Sequence, residues 1–177
     1  MRKIVITYGL ISGAIIITLM LISMYLWNKG IINFDNGELF GYSSMLVALS
    51  MVFFGIKSFR DNQISKSIGF WKAAQVGILI SLMAAVVYAS AWEVYMQTNP
   101  ENTFFEEYSA HYIEKLREKG TPAEEIEKTI VEMDGFKEMY KNPLIRFGFT
   151  LMEILPVGII VTLVSAAILR RKEVLAE

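Results

Sequence analysis

Residues Ile4–Trp27 read IVITYGLISGAIIITLMLISMYLW, and this stretch decides the fold. No charged side chain interrupts it. An α-helix rises about 1.5 Å per residue, so about 20 apolar residues cross a hydrocarbon core of about 30 Å. Leu39–Phe59, Phe70–Tyr95 and Ile145–Leu169 are further runs long and apolar enough to do the same. The fold class expected is therefore all-α: an integral membrane bundle of four transmembrane helices spanning about 4–27, 39–59, 70–95 and 145–169. A helical insert over 96–142 separates the last two spans, and residues 1–177 are read as a single membrane domain.

Composition agrees with this. The chain is 54% hydrophobic, above the 45–50% of soluble domains. Its net charge is −1, so no global field favours nucleic acid, and none is expected as a partner. There is no Cys, which excludes disulfides, thiolate metal sites and cysteine nucleophiles. Arg2 and Lys3 before the first run resemble the start of a signal peptide. The run is longer than a signal h-region, ends in Tyr25 and Trp27 and has no small-residue cleavage pattern. It reads as an uncleaved signal anchor.

Lysine and arginine near span ends are retained on the cytoplasmic side. Arg2 and Lys3, then Lys57, Arg60, Lys66 and Lys72, then Arg170, Arg171 and Lys172 share one side if the chain crosses four times. The other side has Lys29 in a short loop and Arg146 at the last span. Both termini are expected in the cytoplasm and residues 96–142 outside it. Tyr25, Trp27, Trp92 and Tyr95 then form an outer aromatic belt, with Trp71 at the inner interface. Lys57, Arg60, Lys66 and Lys72 make a basic inner rim able to attract anionic headgroups, although the threading rule alone accounts for them.

The segment Met96–Asn142 is Glu-rich but patterned. Phe105, Tyr108, Tyr112 and Leu116 recur at helical spacing, and Gly120 stops that helix. Thr121-Pro122-Ala123-Glu124 reads as an N-cap, a first-turn proline and a capping-box Glu. Ile126, Ile130 and Met133 line the next helix, Asp134-Gly135 is a candidate end for it, and Asn142-Pro143 closes the segment. The expectation is a helical hairpin over the outer mouth of the bundle. A faint internal repeat pairs Leu39-Phe40-Gly41-Tyr42 with Arg146-Phe147-Gly148-Phe149, a likeness that shared apolar composition also explains.

Gly55-Ile56-Lys57-Ser58-Phe59-Arg60-Asp61, Asn142-Pro143-Leu144 and Glu153-Ile154-Leu155-Pro156-Val157-Gly158, with the basic ending Ile168-Leu169-Arg170-Arg171-Lys172, give the chain its resemblance to a known family. It resembles domain of unknown function 4199, a group of small bacterial four-span membrane proteins. The resemblance covers nearly the whole chain. It implies the bacterial inner membrane as location and assigns no activity.

The candidate intramembrane site is Glu153, Pro156, Gly158, Glu93 and Arg146. A carboxylate at the depth of Glu153 is costly and ordinarily faces a bundle interior or a wet cavity. Pro156 lacks an amide hydrogen, frees the Met152 carbonyl and favours a kink beside the acid. Gly158 allows close approach of another backbone. Glu153 is either a structural acid, protonated or paired with Arg146, or a proton or ion site. Glu93, on a stripe with Ser81, Ala85 and Ala89, either points at a neighbouring helix or lies solvated among headgroups. If Glu93, Glu153, Arg146, Tyr42 and Ser43 converge, one arginine sits among two acids.

His111 has Glu107 and Glu114 on its helical face, a spacing compatible with a metal, but a solvated acidic face explains it and no metal is expected. Gly9 and Gly13 form a close-packing motif. There is no phosphate loop, dinucleotide fingerprint, nucleophile elbow or metalloprotease motif. The expected function is a non-enzymatic accessory or assembly partner of an envelope component, with no cofactor. The lipid bilayer, another membrane or envelope protein, and further copies of the chain are its expected partners. The alternative is a small oligomeric transporter or channel using Glu153 beside Pro156.

Overall fold

The computed structural model describes residues 1–99 and 103–170. Arg171 and Lys172 of the basic ending lie outside the described residues. The elements are α1 (Arg2–Asn28), α2 (Gly37–Asp61), α3 (Phe70–Thr98), α4 (Phe104–Glu118), α5 (Ala123–Tyr140) and α6 (Pro143–Leu169). Helices α1, α2, α3 and α6 are each long and apolar enough to cross a membrane. They contain the four apolar runs, extended by one to three residues at most ends.

The chain divides into two compact units, one of Met1–Ala91 with Thr150–Glu177 and one of Trp92–Phe149. In the first unit α3 is the central helix. Half of its most apolar window is buried, against 22% in α1, 33% in α2 and 28% in α6. Its buried face is made of small and β-branched residues: Ala73, Val76, Gly77, Ile80, Ser81, Ala84 and Ala85. Lipid tails are as apolar as Leu, so helices in a bilayer gain by close packing rather than by burying oil from water. Small residues permit that approach.

Glycines mark where it happens. A β-carbon at Gly13 of α1 would stand 2.6 Å from Val87 Cγ1 and 2.8 Å from Val87 Cβ on α3. One at Gly77 of α3 would stand 2.6 Å from Thr162 Cγ2 on α6, and one at Gly158 of α6 would stand 2.8 Å from Ser81 Cβ. Hydroxyls fasten the α3–α6 seam and the neighbouring α1–α2 contact. Ser12 Oγ donates to the Ala48 carbonyl at 2.7 Å, joining α1 to α2. Ser81 Oγ lies 3.4 Å from both the Gly158 carbonyl and Thr162 Oγ1, joining α3 to α6.

The turn chemistry is explicit. At the end of α1, Gly30 has φ +70° and its amide bonds to the Trp27 carbonyl at 2.8 Å, while the Ile31 amide reaches Leu26 at 3.0 Å. At the end of α4, Gly120 has φ +73°, its amide bonds to Arg117 and the Thr121 amide bonds to Leu116. Both are left-handed glycine caps with crossed 5→2 and 6→1 hydrogen bonds. Two local expectations need correcting. Pro122 is the cap of α5 itself, with ψ 142°, and no side-chain capping box forms at Thr121. Helix α5 also continues through Asp134 and Gly135, because interior glycine costs only about 1 kcal/mol and the neighbouring residues are good helix formers. The cap–proline pattern is realised at the start of the next helix: Asn142 Oδ1 accepts from the Leu144 amide at 3.0 Å, with Pro143 opening α6.

These contacts set opposite signs for one chemical change. Gly13→Ala should lower stability by about 1–3 kcal/mol, because stiff Val87 must move. Gly135→Ala, with nothing within 4 Å of the added carbon, should raise it by about 0.5–1 kcal/mol. Unfolding of the two variants in mild detergent checks both, and equal effects would contradict the packing described.

Candidate functional site: a bidentate ion pair and an exposed acid

The second unit is organised by one arginine. Glu93 lies in the last two turns of α3 and Arg146 in the first turn of α6. Arg146 Nε donates to Glu93 Oε1 at 2.8 Å and Nη2 to Oε2 at 2.6 Å, a parallel two-point pair. Its third donor, Nη1, reaches the Tyr140 carbonyl at 3.2 Å, so the last residue of α5 is fixed to the same guanidinium. The guanidinium also lies 5.8 Å from the Tyr140 ring centroid. The Tyr140 hydroxyl in turn accepts from Trp92 Nε1 at 2.9 Å. The pair is largely withdrawn from solvent, with side-chain exposures of 9% for Arg146 and 13% for Glu93.

Arg146 sits at a helix end that disfavours it, because a helix N-terminus carries partial positive charge and repels a cation. Pairing with Glu93 offsets that penalty, and the two-point geometry fixes α3 and α6 against each other at this point. Arginine keeps its proton throughout the physiological range. The chemistry of this arrangement is therefore to hold charge and position, not to move protons.

Aromatic rings extend the brace into the hairpin. Phe136 stacks on Tyr140 at 5.6 Å, meets Phe149 at 4.9 Å and stacks on Phe105 of α4 at 5.8 Å. Beside Phe105, Glu106 pairs with Lys137 of α5 at 2.6 Å. The hydrogen bond from Lys137 holds the Glu106 carboxyl below its ordinary range, and the same bond raises Lys137.

The remaining candidates lie in the first unit. Glu153 is exposed on α6 and forms no hydrogen bond or ion pair with any described residue. Pro156 is exposed one turn on, and α6 runs unbroken through it. Gly158 is buried against Ser81. Tyr42 is exposed. Of the basic rim, Lys57, Lys66 and Lys72 are exposed, Lys66 with φ +46°. Arg60 is tied to Asp61 by Nε and Nη2, both at 2.8 Å, and Lys72 donates to Gln75. Ile64 and Trp71 project beside them almost wholly exposed.

Tyr140 and Ser12 carry interactions that the sequence reading did not single out. For Tyr140 the available signal was the Asn142-Pro143 turn, which folds the end of α5 back beside Arg146. Ser12 had none beyond being a hydroxyl in an apolar run.

The fold defines an all-helical protein with four membrane-length helices and a helical hairpin between the third and fourth. The chain belongs to the family described as Protein of unknown function (DUF4199), whose family model matches residues 7–171. No curated protein and no solved structure gives a significant match to it.

Two outcomes test the brace. Glu93→Gln or Arg146→Met alone should cost about 3 kcal/mol, because each strands a withdrawn charge, and the double variant should recover part of that loss. Additive effects in the double-mutant cycle would show that the pair is not coupled. For Glu106–Lys137 the acid's contribution is present above the ordinary carboxylate range and is lost as pH falls through its lowered value. The lysine's contribution is present below the ordinary lysine range and is lost as pH rises through its raised value. The stabilising difference between wild type and Lys137→Met should thus form a plateau across neutral pH and vanish at both extremes. Its height should be small, since both side chains are more than a third exposed.

Proposed function

We propose that this is a non-enzymatic protein of the bacterial inner membrane that acts as an accessory or assembly partner of another envelope component. Both termini and the rim of Lys57, Arg60, Lys66 and Lys72 lie in the cytoplasm, with α4 and α5 on the far side. The distribution of basic residues supports that threading, since Lys57 and Arg60 at the end of α2, Lys66 in the α2–α3 link and Lys72 at the start of α3 cluster there, while the α1–α2 loop has only Lys29.

The observation that carries the partner reading is the braced hairpin. Helix α5 ends on the Arg146 guanidinium and the Phe136–Phe149 contact, so its position in the unit is fixed by several independent bonds. Its outward surface nevertheless leaves Val131 and Met139 exposed at 67% and 48%, on a helix whose exposed carboxylates include Glu124, Glu125, Glu127 and Glu132. A rigid support presenting apolar residues inside an acidic field suits recognition of a partner with a basic, partly apolar surface.

A photo-crosslinking residue at position 131, in native membranes, should capture a distinct envelope protein reproducibly, and Glu93→Gln should weaken that capture. Adducts with the chain itself alone would sink the reading. Reporter fusions should place positions 131 and 64 on opposite sides of the membrane.

The alternative, an oligomeric transporter or channel, draws support from Glu153. Its carboxyl lies on the outward face of α6, where an assembly of several chains could enclose it. Pure protein in proteoliposomes should then pass a proton or ion, with the flux lost in Glu153→Gln. Absence of flux under proton, sodium and potassium gradients removes this alternative.

A further inference from the structure

The outward face of α6 carries a polar feature that a single copy leaves unsatisfied. Glu153 stands ten residues beyond Pro143, about 15 Å along a helix axis that runs about 25 Å further to Leu169. At that depth a carboxyl faces hydrocarbon, and its two methylenes cannot carry it to the headgroups as the long stem of a lysine can. Pro156 has no amide to close on the Met152 carbonyl, so an acceptor opens within one residue of the acid. An acid and an open carbonyl together require a hydrogen-bond donor in the membrane plane.

The residues around them have a definite period. Glu153, Ile160 and Ala167 are spaced by seven, and Pro156 and Leu163 fall three residues after the first two. All five are exposed, Ile160 at 62% and Leu163 at 40%. This is the a/d spacing of a left-handed helix pair, with one polar residue at an a position of the kind that sets register. Copies of one chain insert in the same direction, so a twofold axis along the membrane normal brings Glu153 to Glu153 at equal depth. A protonated carboxyl is its own complement, because it carries one donor and an acceptor. It can bond to the partner's carboxyl or to the open Met152 carbonyl without leaving net charge in lipid.

We propose that α6 packs against α6 of a second copy along Glu153, Pro156, Ile160, Leu163 and Ala167, with the two Glu153 carboxyls hydrogen-bonded across the axis. This seam is independent of the hairpin surface and stands whether or not the protein transports anything.

The absence of cysteine makes the test direct. Ile160→Cys, reconstituted in bilayers at high lipid-to-protein ratio and oxidised, should give a disulfide-linked dimer. Val47→Cys, on an exposed position of α2, should give at least fivefold less. In the Ile160→Cys background, Glu153→Gln should retain the dimer, since an amide also both donates and accepts. Glu153→Leu should weaken association about tenfold, the scale of one lost interhelical hydrogen bond of the stronger kind. Should Glu153→Leu fail to fold, the comparison of positions 160 and 47 still decides the matter. Equal linkage at both positions, or a monomer at position 160, overturns the proposal. So does reproducible linkage of position 160 in native membranes to a different protein with no self-linked dimer.

Discussion

Close approach of helix backbones around α3 is the constraint on which the membrane-length part of this protein depends. In water, an apolar helix gains by leaving solvent; in a bilayer it gains little from exchanging lipid for protein. What remains is dispersion between well-fitted surfaces and a few hydrogen bonds that cannot be made to lipid tails. Gly13 against Val87, Gly77 against Thr162 and Gly158 against Ser81 are the points where a single added carbon would collide. The Ser81–Gly158 hydrogen bond occupies the α3–α6 seam and the Ser12–Ala48 bond joins α1 to α2, each where close backbones bring a carbonyl within reach of a short hydroxyl.

The second unit solves a different problem. A hairpin of two short, polar helices has little apolar surface of its own, and α5 has no fully buried residue. Its order comes from being attached. Arg146 bonds to Glu93 and to the Tyr140 carbonyl, so one guanidinium gathers the ends of α3, α5 and α6. Phe136 then links both hairpin helices to Phe149. A charge pair that would contribute little on an exposed surface matters here because it is withdrawn from water and offsets the unfavourable placing of a cation in the first turn of α6.

Glu93 and Glu153 show how one residue type takes two environments in one chain. Glu93 has a cation in two-point geometry and is largely withdrawn from solvent. Glu153 has none of these and lies on an outward helix face. Counting residues along the spans could place both acids at membrane depth, but it could not separate them, because depth along an axis contains no information about which direction around the axis has a partner.

The sequence by itself determined the helical class, the number of membrane-length helices and the existence of a hairpin between the last two. Those follow from local properties: run length against the rise of a helix, and spacing against its period. One terminator was local too, Gly120, whose left-handed backbone favours glycine. Gly135 was not legible in this way, since nothing in Asp134-Gly135 alone tells whether flanking residues will carry a helix through it. Only the tertiary structure decided that Glu93 belongs to Arg146, that Tyr140 completes the brace, and that Glu153 faces outward. Each of those rests on contacts between residues far apart in sequence, or on rotation about a helix axis, and both are set by packing that spacing along one strand of chain does not encode.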